Sequence, residues 1–301
     1  MTSADASAKA APRWRTPSRA EAFAGPPAPA SGPEPEVDAR FSVLRRGKGW
    51  AVVAKSGNIP CHPSGRYRRN TLEAALLGSG EFPAVHFASR LDRETSGCVL
   101  VATDGAAAGF LGKELMARRV AKTYLCVARG SWRLVPGPDG RCRVRGWICP
   151  AGDEIVRKYR VFVPEDHSGA LPPGAQAAET FFRALAWEEL GVPAAEAARL
   201  SSQGLVALEC LPTTGRTHQI RATVKALGLD VVGDKLYGPD RAIYGRMCEG
   251  RMTEADRAAL KTGRQALHAW RLSFRDPETL APVECEAPPD AMLAEIRAAH
   301  S

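Results

Sequence analysis

From Val43 onward, apolar and polar positions fall into two periods. Trp50 to Ala54 and Gly97 to Ala102 are short apolar runs of strand length, and Val120 to Ala128 is a third. Residues 180–187 and 204–211 add two more strands, and Ile155–Val163 adds another within the Gly- and Pro-rich stretch 131–178. Helical spacing appears over Asn70 to Leu77, with Asn70 as N-cap, and from Asp104 as cap through about Arg118. Thr217 to Leu227 places Ile220, Val224 and Leu227 on one stripe, and Gly228 stands where a helix ends in a left-handed glycine. Residues 239–265 form an excursion with one polar helix. These elements lack regular βαβ alternation, so they predict an α+β fold around a mixed, largely antiparallel sheet with flanking helices.

Residues 1–40 break this pattern. They hold seven prolines and few large aliphatics, too little apolar surface to offset the entropy of ordering. They are expected to form a disordered tail, leaving one domain over 41–295. The first twenty residues carry Lys9, Arg13, Arg15 and Arg19 against Asp5 alone. A solvated extension of a cytoplasmic protein explains this, and a mitochondrial or plastid targeting peptide is the alternative. Five basic residues in 1–40 balance five acidic ones, so the net charge of +8 falls on the folded part. That surplus favours a polyanionic partner. No apolar run reaches the roughly 18–20 residues of a membrane helix. The eight cysteines form no C-x-x-C pair and have no clustered histidines, so neither a disulfide framework nor a metal site is expected.

Four stretches carry candidate chemistry. Arg90-Leu91-Asp92-Arg93-Glu94-Thr95-Ser96-Gly97 sets a carboxylate on a loop just before an apolar strand, a rigid mount for catalysis. An ordinary Arg–Asp surface pair would look the same. Thr213 to Arg221 places Arg216 and His218 at the start of a helix and Arg221 beside its apolar stripe. A guanidinium there needs an anionic partner. Lys122 and Tyr124 share one face of a strand, a pairing that suits phosphate and base, or a half-buried strand with a snorkelling lysine. His62 to Thr71 gathers Arg66, Arg68, Arg69 and Tyr67 in a loop, as a phosphate patch or a solvated charge cluster.

In this order the stretches resemble the pseudouridine synthases of the large-subunit-rRNA/tRNA type, the RluA-like family. The resemblance rests on Arg90 to Gly97, Lys122-Thr123-Tyr124, Thr214 to Arg221, Gly233-Asp234-Lys235-Leu236-Tyr237-Gly238 and Leu267-His268-Ala269, and covers roughly residues 42–280. His62 to Thr71 is similar to a segment of the branch that includes eukaryotic tRNA uridine-32 synthases. Two positions depart from the family pattern: Ser89 stands where a histidine is usual, and Lys55-Ser56 stands where Lys-Pro is usual.

The resemblance implies a pseudouridine-synthase fold with a central cleft and isomerisation of uridine to pseudouridine in RNA, tRNA or large-subunit rRNA. It implies no cofactor, no metal and a monomer. Asp92 would be the catalytic carboxylate, Arg221 its salt-bridge partner and Tyr124 the ring that stacks on uracil. Arg90 would fill the space left by the flipped base, and Lys122, Arg216, His218 and Arg66 would contact RNA. Two other readings stay open. One is a non-catalytic RNA binder on the same scaffold. The other is a glycosidase, which needs a second carboxylate across the bond, with Glu94 and Asp234 as candidates.

Overall fold

A computed structural model of the chain describes residues 34–151 and 159–301. The first strands are β1 (Phe41–Gly47) and β2 (Trp50–Lys55), followed by α1 (Leu72–Gly78), β3 (His86–Phe87), β4 (Ser96–Ala102) and α2 (Gly105–Met116). Next come β5 (Ala121–Arg129), β6 (Cys142–Pro150), β7 (Arg160–Pro164) and β8 (Gln176–Leu185). A 3-10 turn at Trp187–Leu190 leads to α3 (Ala194–Ser202), β9 (Leu205–Pro212), α4 (Gln219–Ala226) and β10 (Asp230–Val231). The chain closes with α5 (Ala242–Cys248), α6 (Glu254–Leu260), β11 (Leu267–Arg275), β12 (Pro282–Glu286) and α7 (Asp290–Ala299).

The described strands form one sheet in the order β1-β2-β4-β11-β5-β9-β8-β6-β7, with β3, β10 and β12 paired at its margins. Its neighbours are antiparallel except β4 and β11, which pair in parallel through Ser96/His268 and Ala269/Gly97. The expected α+β class and largely antiparallel sheet are what the chain adopts. The central strands read as continuous apolar runs because they are covered on both faces. Trp50 and Val52 of β2 face Ala107 and Leu111 of α2, while Ala51 and Val53 face Leu72 and Leu76 of α1. In β5, Leu125 and Val127 face α3 and α7, while Cys126 and Ala128 face Ile220 and Val224 of α4.

Several boundaries differ from the sequence expectation. Thr71, not Asn70, caps α1: its hydroxyl accepts the Ala74 N–H, while the Asn70 amide donates to the Pro35 carbonyl. Helix α4 starts at Gln219 rather than Thr217, because His218 sits at φ +57°. Its end is as expected, a left-handed Gly228 with the paired Gly228-to-Lys225 and Leu229-to-Val224 bonds of a Schellman motif. The excursion at 239–265 holds two helices, α5 and α6. The strand expected over Ile155–Val163 has its first part outside the described residues, and β7 spans Arg160–Pro164. Of the expected tail, residues 1–33 lie outside the described residues. Residues 34–40 lie against the domain, the Glu34 carboxylate accepting the N–H groups of Arg68, Arg69 and Asn70. Local composition could not show these partners, which lie more than thirty positions along the chain.

The parallel β4/β11 contact brings two backbones unusually close. Gly97 has φ +105°, and a Cβ there would lie 2.2 Å from the Ala269 carbonyl oxygen. Gly97→Ala should therefore destabilise the protein by about 3 kcal/mol or more. Gly109 lies exposed within α2, and a Cβ there meets nothing within 4 Å outside its own helix. Gly109→Ala should stabilise by about 0.5–1 kcal/mol. Urea melts of both variants read this contrast, and wild-type stability in Gly97→Ala would remove the demand for glycine at the strand contact.

Candidate active site

Every residue from Arg90 to Ser96 is tethered to another part of the chain. The Leu91 N–H donates to Cys61 Sγ at 3.5 Å. The Arg93 carbonyl accepts from the Ile59 N–H and from Lys55 Nζ, each at 3.0 Å. The Arg93 guanidinium reaches Asn58 Oδ1, Tyr67 Oη and Glu94. Glu94 also accepts from Lys235 Nζ at 2.9 Å, and Thr95 Oγ1 accepts from the Gln265 amide. Ser96 Oγ is bonded to His268 Nδ1 at 2.8 Å and accepts from Arg264. The Thr95 N–H closes a turn onto the Asp92 carbonyl. Asp92 is thus held on a stiff loop at the head of β4.

Lys55 is a charged tether, buried at 2% exposure. Its ammonium donates to the carbonyls of Ser56, Ile59 and Arg93 at 2.9–3.0 Å, using all three protons. Burial lowers its pKa to about 8. The lysine fixes the strand end, the following turn and the Asp92 loop at one point.

Arg221 projects from α4 and joins two carboxylates. Its Nη1 donates to Asp92 Oδ2 at 2.8 Å. Its Nε and Nη2 grip Asp234 in a bidentate pair at 2.6 and 2.8 Å. Asp234 is fully buried and also accepts the N–H groups of Leu236 and Tyr237. The three groups carry two negative charges and one positive. Asp92 is the accessible end, its side chain 31% exposed against 8% for Arg221 and none for Asp234. Withdrawal from water alone would raise the Asp92 pKa, but the Arg221 charge and hydrogen bond outweigh it and hold the carboxyl below its ordinary range. Both acids balance the desolvation of Arg221, whose pKa stays above that of a free guanidinium.

His218 and Tyr237 close the other side. His218 Nε2 lies 4.0 Å from Asp92 Oδ1, and its Nδ1 is 3.0 Å from the Tyr237 hydroxyl, which accepts the Arg160 N–H. Burial takes the His218 pKa down to about 4, so the ring is neutral at pH 7. We assign the tautomer that accepts from Tyr237 at Nδ1 and turns Nε2–H toward Asp92, since it complements both neighbours. The Arg221 guanidinium lies over the Tyr237 ring at 4.9 Å, and Tyr159 stacks on the same tyrosine at 4.8 Å between centroids. Gln219 anchors the preceding loop by accepting from Thr214 Oγ1 and the Arg216 N–H and donating to β8.

Tyr124 lies half-buried on the α4 side of β5. Burial, and then the Asp92 charge, raise its pKa far above that of a free phenol, so it keeps its proton. Asp92, Arg221 and His218 therefore form one contact group, and Tyr124 lies near enough for the Asp92 charge to act on it. Lys122 is on the same strand face and half-buried, and burial lowers its pKa. Arg90 is exposed at the rim, bonded to His62 Nε2 at 3.1 Å. Arg216 turns to the Ala177 carbonyl on β8, and Arg66 is exposed. Neither bonds to the Asp92 group. Sequence reasoning missed Asp234 as the second partner of Arg221. The demand of a core-edge guanidinium for more than one acceptor was the available signal. Both candidates for a glycosidase's second acid are occupied, Glu94 by Lys235 and Asp234 by Arg221. Among the described residues, no cluster of three or more His, Cys, Asp or Glu side chains could hold a metal, and no helix is long and apolar enough to cross a membrane.

The chain resembles known proteins in both sequence and fold. The sequence model for RNA pseudouridylate synthase matches residues 49–226. The mitochondrial tRNA pseudouridine(32) synthase of Saccharomyces cerevisiae is 29% identical over 230 residues, covering 74% of this chain and 43% of the yeast protein. Ribosomal large subunit pseudouridine synthase D of Neisseria meningitidis is 31% identical over 241 residues, covering 79% of this chain and 55% of that enzyme. The chain spans only about a third to a half of the length of these and other curated relatives. The solved structure of human RNA Pseudouridylate Synthase Domain Containing 1 superposes with a TM-score of 0.58 at 27% identity, covering 85% of this chain and 86% of that one. With the family match extending over more than half of its 301 residues, the chain belongs to the RNA pseudouridylate synthase family.

Proposed function

We propose that the chain converts uridine to pseudouridine in RNA, with Asp92 as the catalytic carboxylate. The observation that carries this reading is the Asp92–Arg221–Asp234 arrangement. It keeps one carboxylate ionised and open to the cleft while burying the groups that hold it so. In the reaction the C1′–N1 bond breaks, the uracil turns, and C1′ bonds to C5. C5 loses a proton and N1 gains one. The isomerisation is redox-neutral and needs no electron carrier. Asp92 serves either by attacking C1′ or by taking the 2′ proton. Tyr124, kept protonated, offers an aromatic face to the base. A uridine in stacked RNA must first be flipped out, at a cost of a few kcal/mol, and Arg90 at the rim is placed to fill the vacated space. Lys122, Arg216 and Arg66 supply phosphate contacts around the cleft.

A non-catalytic RNA binder would gain nothing from a carboxylate held ionised in an anionic-substrate cleft, where it repels phosphate. Among substrates we favour tRNA, supported by the His62 to Thr71 segment and by the yeast relative. Large-subunit rRNA is the second reading, supported by the meningococcal relative. Read as a solvated extension, residues 1–40 leave the chain in the cytoplasm, and the basic first twenty residues support an organelle as the alternative.

Asp92→Asn keeps an acceptor for Arg221 but removes the charge. It should lower pseudouridine formation by roughly a thousandfold or more while leaving RNA binding in place. Base-resolution mapping in cells carrying the wild type, the variant or neither reads both the activity and the target RNA. Turnover by the variant would sink the assignment.

The pH dependence follows from the signs of the shifts. Asp92 is held below its ordinary range, so it loses its charge only at a pH below that range. His218, lowered to about 4, is already neutral where an ordinary histidine would titrate. The single-turnover rate should therefore be flat from roughly pH 5.5 to 7.5. An inflection near 6.5 that disappears in His218→Gln would show that the ring acts as imidazolium and would refute this assignment.

A further inference from the structure

Arg90 differs from the acid-paired arginines around the site. Arg93 pairs with Glu94, Arg264 with Glu295, Arg246 with Asp240 and Asp256, and Arg221 with Asp92 and Asp234. Among the described residues, no carboxylate lies within ion-pair distance of Arg90. Its one hydrogen bond is Nη1 to His62 Nε2 at 3.1 Å. A guanidinium only donates, so Nε2 must accept and the His62 ring must be neutral, with its proton on Nδ1. That Nδ1 is buried and has no partner. A buried polar atom without a partner is rarely left in a native protein unless another requirement holds it there. Here the requirement is the acceptor that His62 presents to Arg90.

The backbone on either side is fixed. Cys61 Sγ accepts from the Leu91 N–H, and the Ile59 N–H donates to the Arg93 carbonyl. The Tyr67 hydroxyl accepts from Arg93 Nη1 at 2.8 Å. The loop from Ile59 to Tyr67 is thus bound to the Asp92 loop at several points, and the Arg90 side chain can move without the backbone following.

We propose that His62 is a positioning residue that holds the Arg90 side chain at the cleft rim, ready to enter the RNA stack when the uridine flips. This rests on the base-flipping role of Arg90 put forward above. A single neutral acceptor suits the task. It limits the rotamers of a long side chain, yet it releases the guanidinium more readily than a carboxylate pair would. The His62 ring takes no part in the bond rearrangement. Its effect falls on the step that orders Arg90, so it appears in the rate at saturation and hardly in binding.

The test uses the full chain in excess over total RNA from cells lacking its gene, with pseudouridine read by carbodiimide mapping over time. His62→Ala should lower the saturating rate by about three- to tenfold, the cost of ordering one long side chain, with the half-saturating enzyme concentration unchanged. His62→Gln, which keeps an acceptor, should recover most of the rate. His62→Met fills the space without an acceptor and should behave like His62→Ala, so the comparison survives if the alanine variant folds poorly. The double variant His62→Ala/Arg90→Ala should be no slower than Arg90→Ala alone, because the histidine acts only through that arginine. Wild-type rates in both acceptor-less variants would overturn the proposal. So would multiplicative losses in the double variant, or an Arg90→Ala protein with full activity. No product from the wild type would instead overturn the enzymatic reading itself, and this proposal with it.

Discussion

One guanidinium between two carboxylates sets the character of this protein. Arg221 cannot lose its proton, and it lies where an unpaired charge would cost several kcal/mol. Asp234, fully buried and fixed by two backbone N–H groups, takes two of its donor positions and sets its plane. Its remaining nitrogen, Nη1, donates to Asp92. The carboxylate in the cleft is held ionised by a cation that is itself held by a second, hidden anion. Asp92 is thereby left as the exposed negative end of the group, in a domain whose overall charge is positive.

The sheet exists in the form this arrangement requires. Asp92 belongs to the first half of the chain, Arg221 and Asp234 to the second, and β4 and β11 set one strand of each half side by side in parallel. The Ser96 hydroxyl and His268 ring bond across that seam, and Gly97 lets the backbones approach. Lys55, with three carbonyls on its ammonium, ties β2 and the Asp92 loop to the same point. The family's usual proline after this lysine is replaced by Ser56, whose hydroxyl binds the Asp38 carbonyl while its N–H reaches the Arg40 carbonyl. The turn that a proline would stiffen is instead fastened to residues 38–40.

The motifs were legible because each concentrates residue types that are costly to place without a reason. Arg, Asp, Arg and Glu directly before a buried strand, and a guanidinium beside an apolar helical stripe, both demand partners. Beyond the Asp92–Arg221 pair that the family resemblance implied, the partners were not legible. Asp234 stood in a family motif, but nothing near it in sequence pointed it at Arg221, and Glu94 could pass for a second catalytic acid until Lys235 is found on it. Thr71 displaced Asn70 as a cap because Pro35, thirty-five positions away, engages the asparagine. Helix α4 begins late because His218 takes a left-handed turn to face both Tyr237 and Asp92. Local propensity carries no record of such distant contacts.

By itself, then, the sequence determined the apolar runs of the central strands, the ends of the helices that carry their own caps, and the residue types of the site. These follow from periodicity and local hydrogen bonding, which act over a few positions. The tertiary structure alone decided which charges meet: Arg221 with two acids instead of one, Glu94 with Lys235, Arg90 with a neutral histidine. Charge pairing depends on distances of a few ångströms between atoms up to 230 positions apart, and only the closed sheet sets those distances.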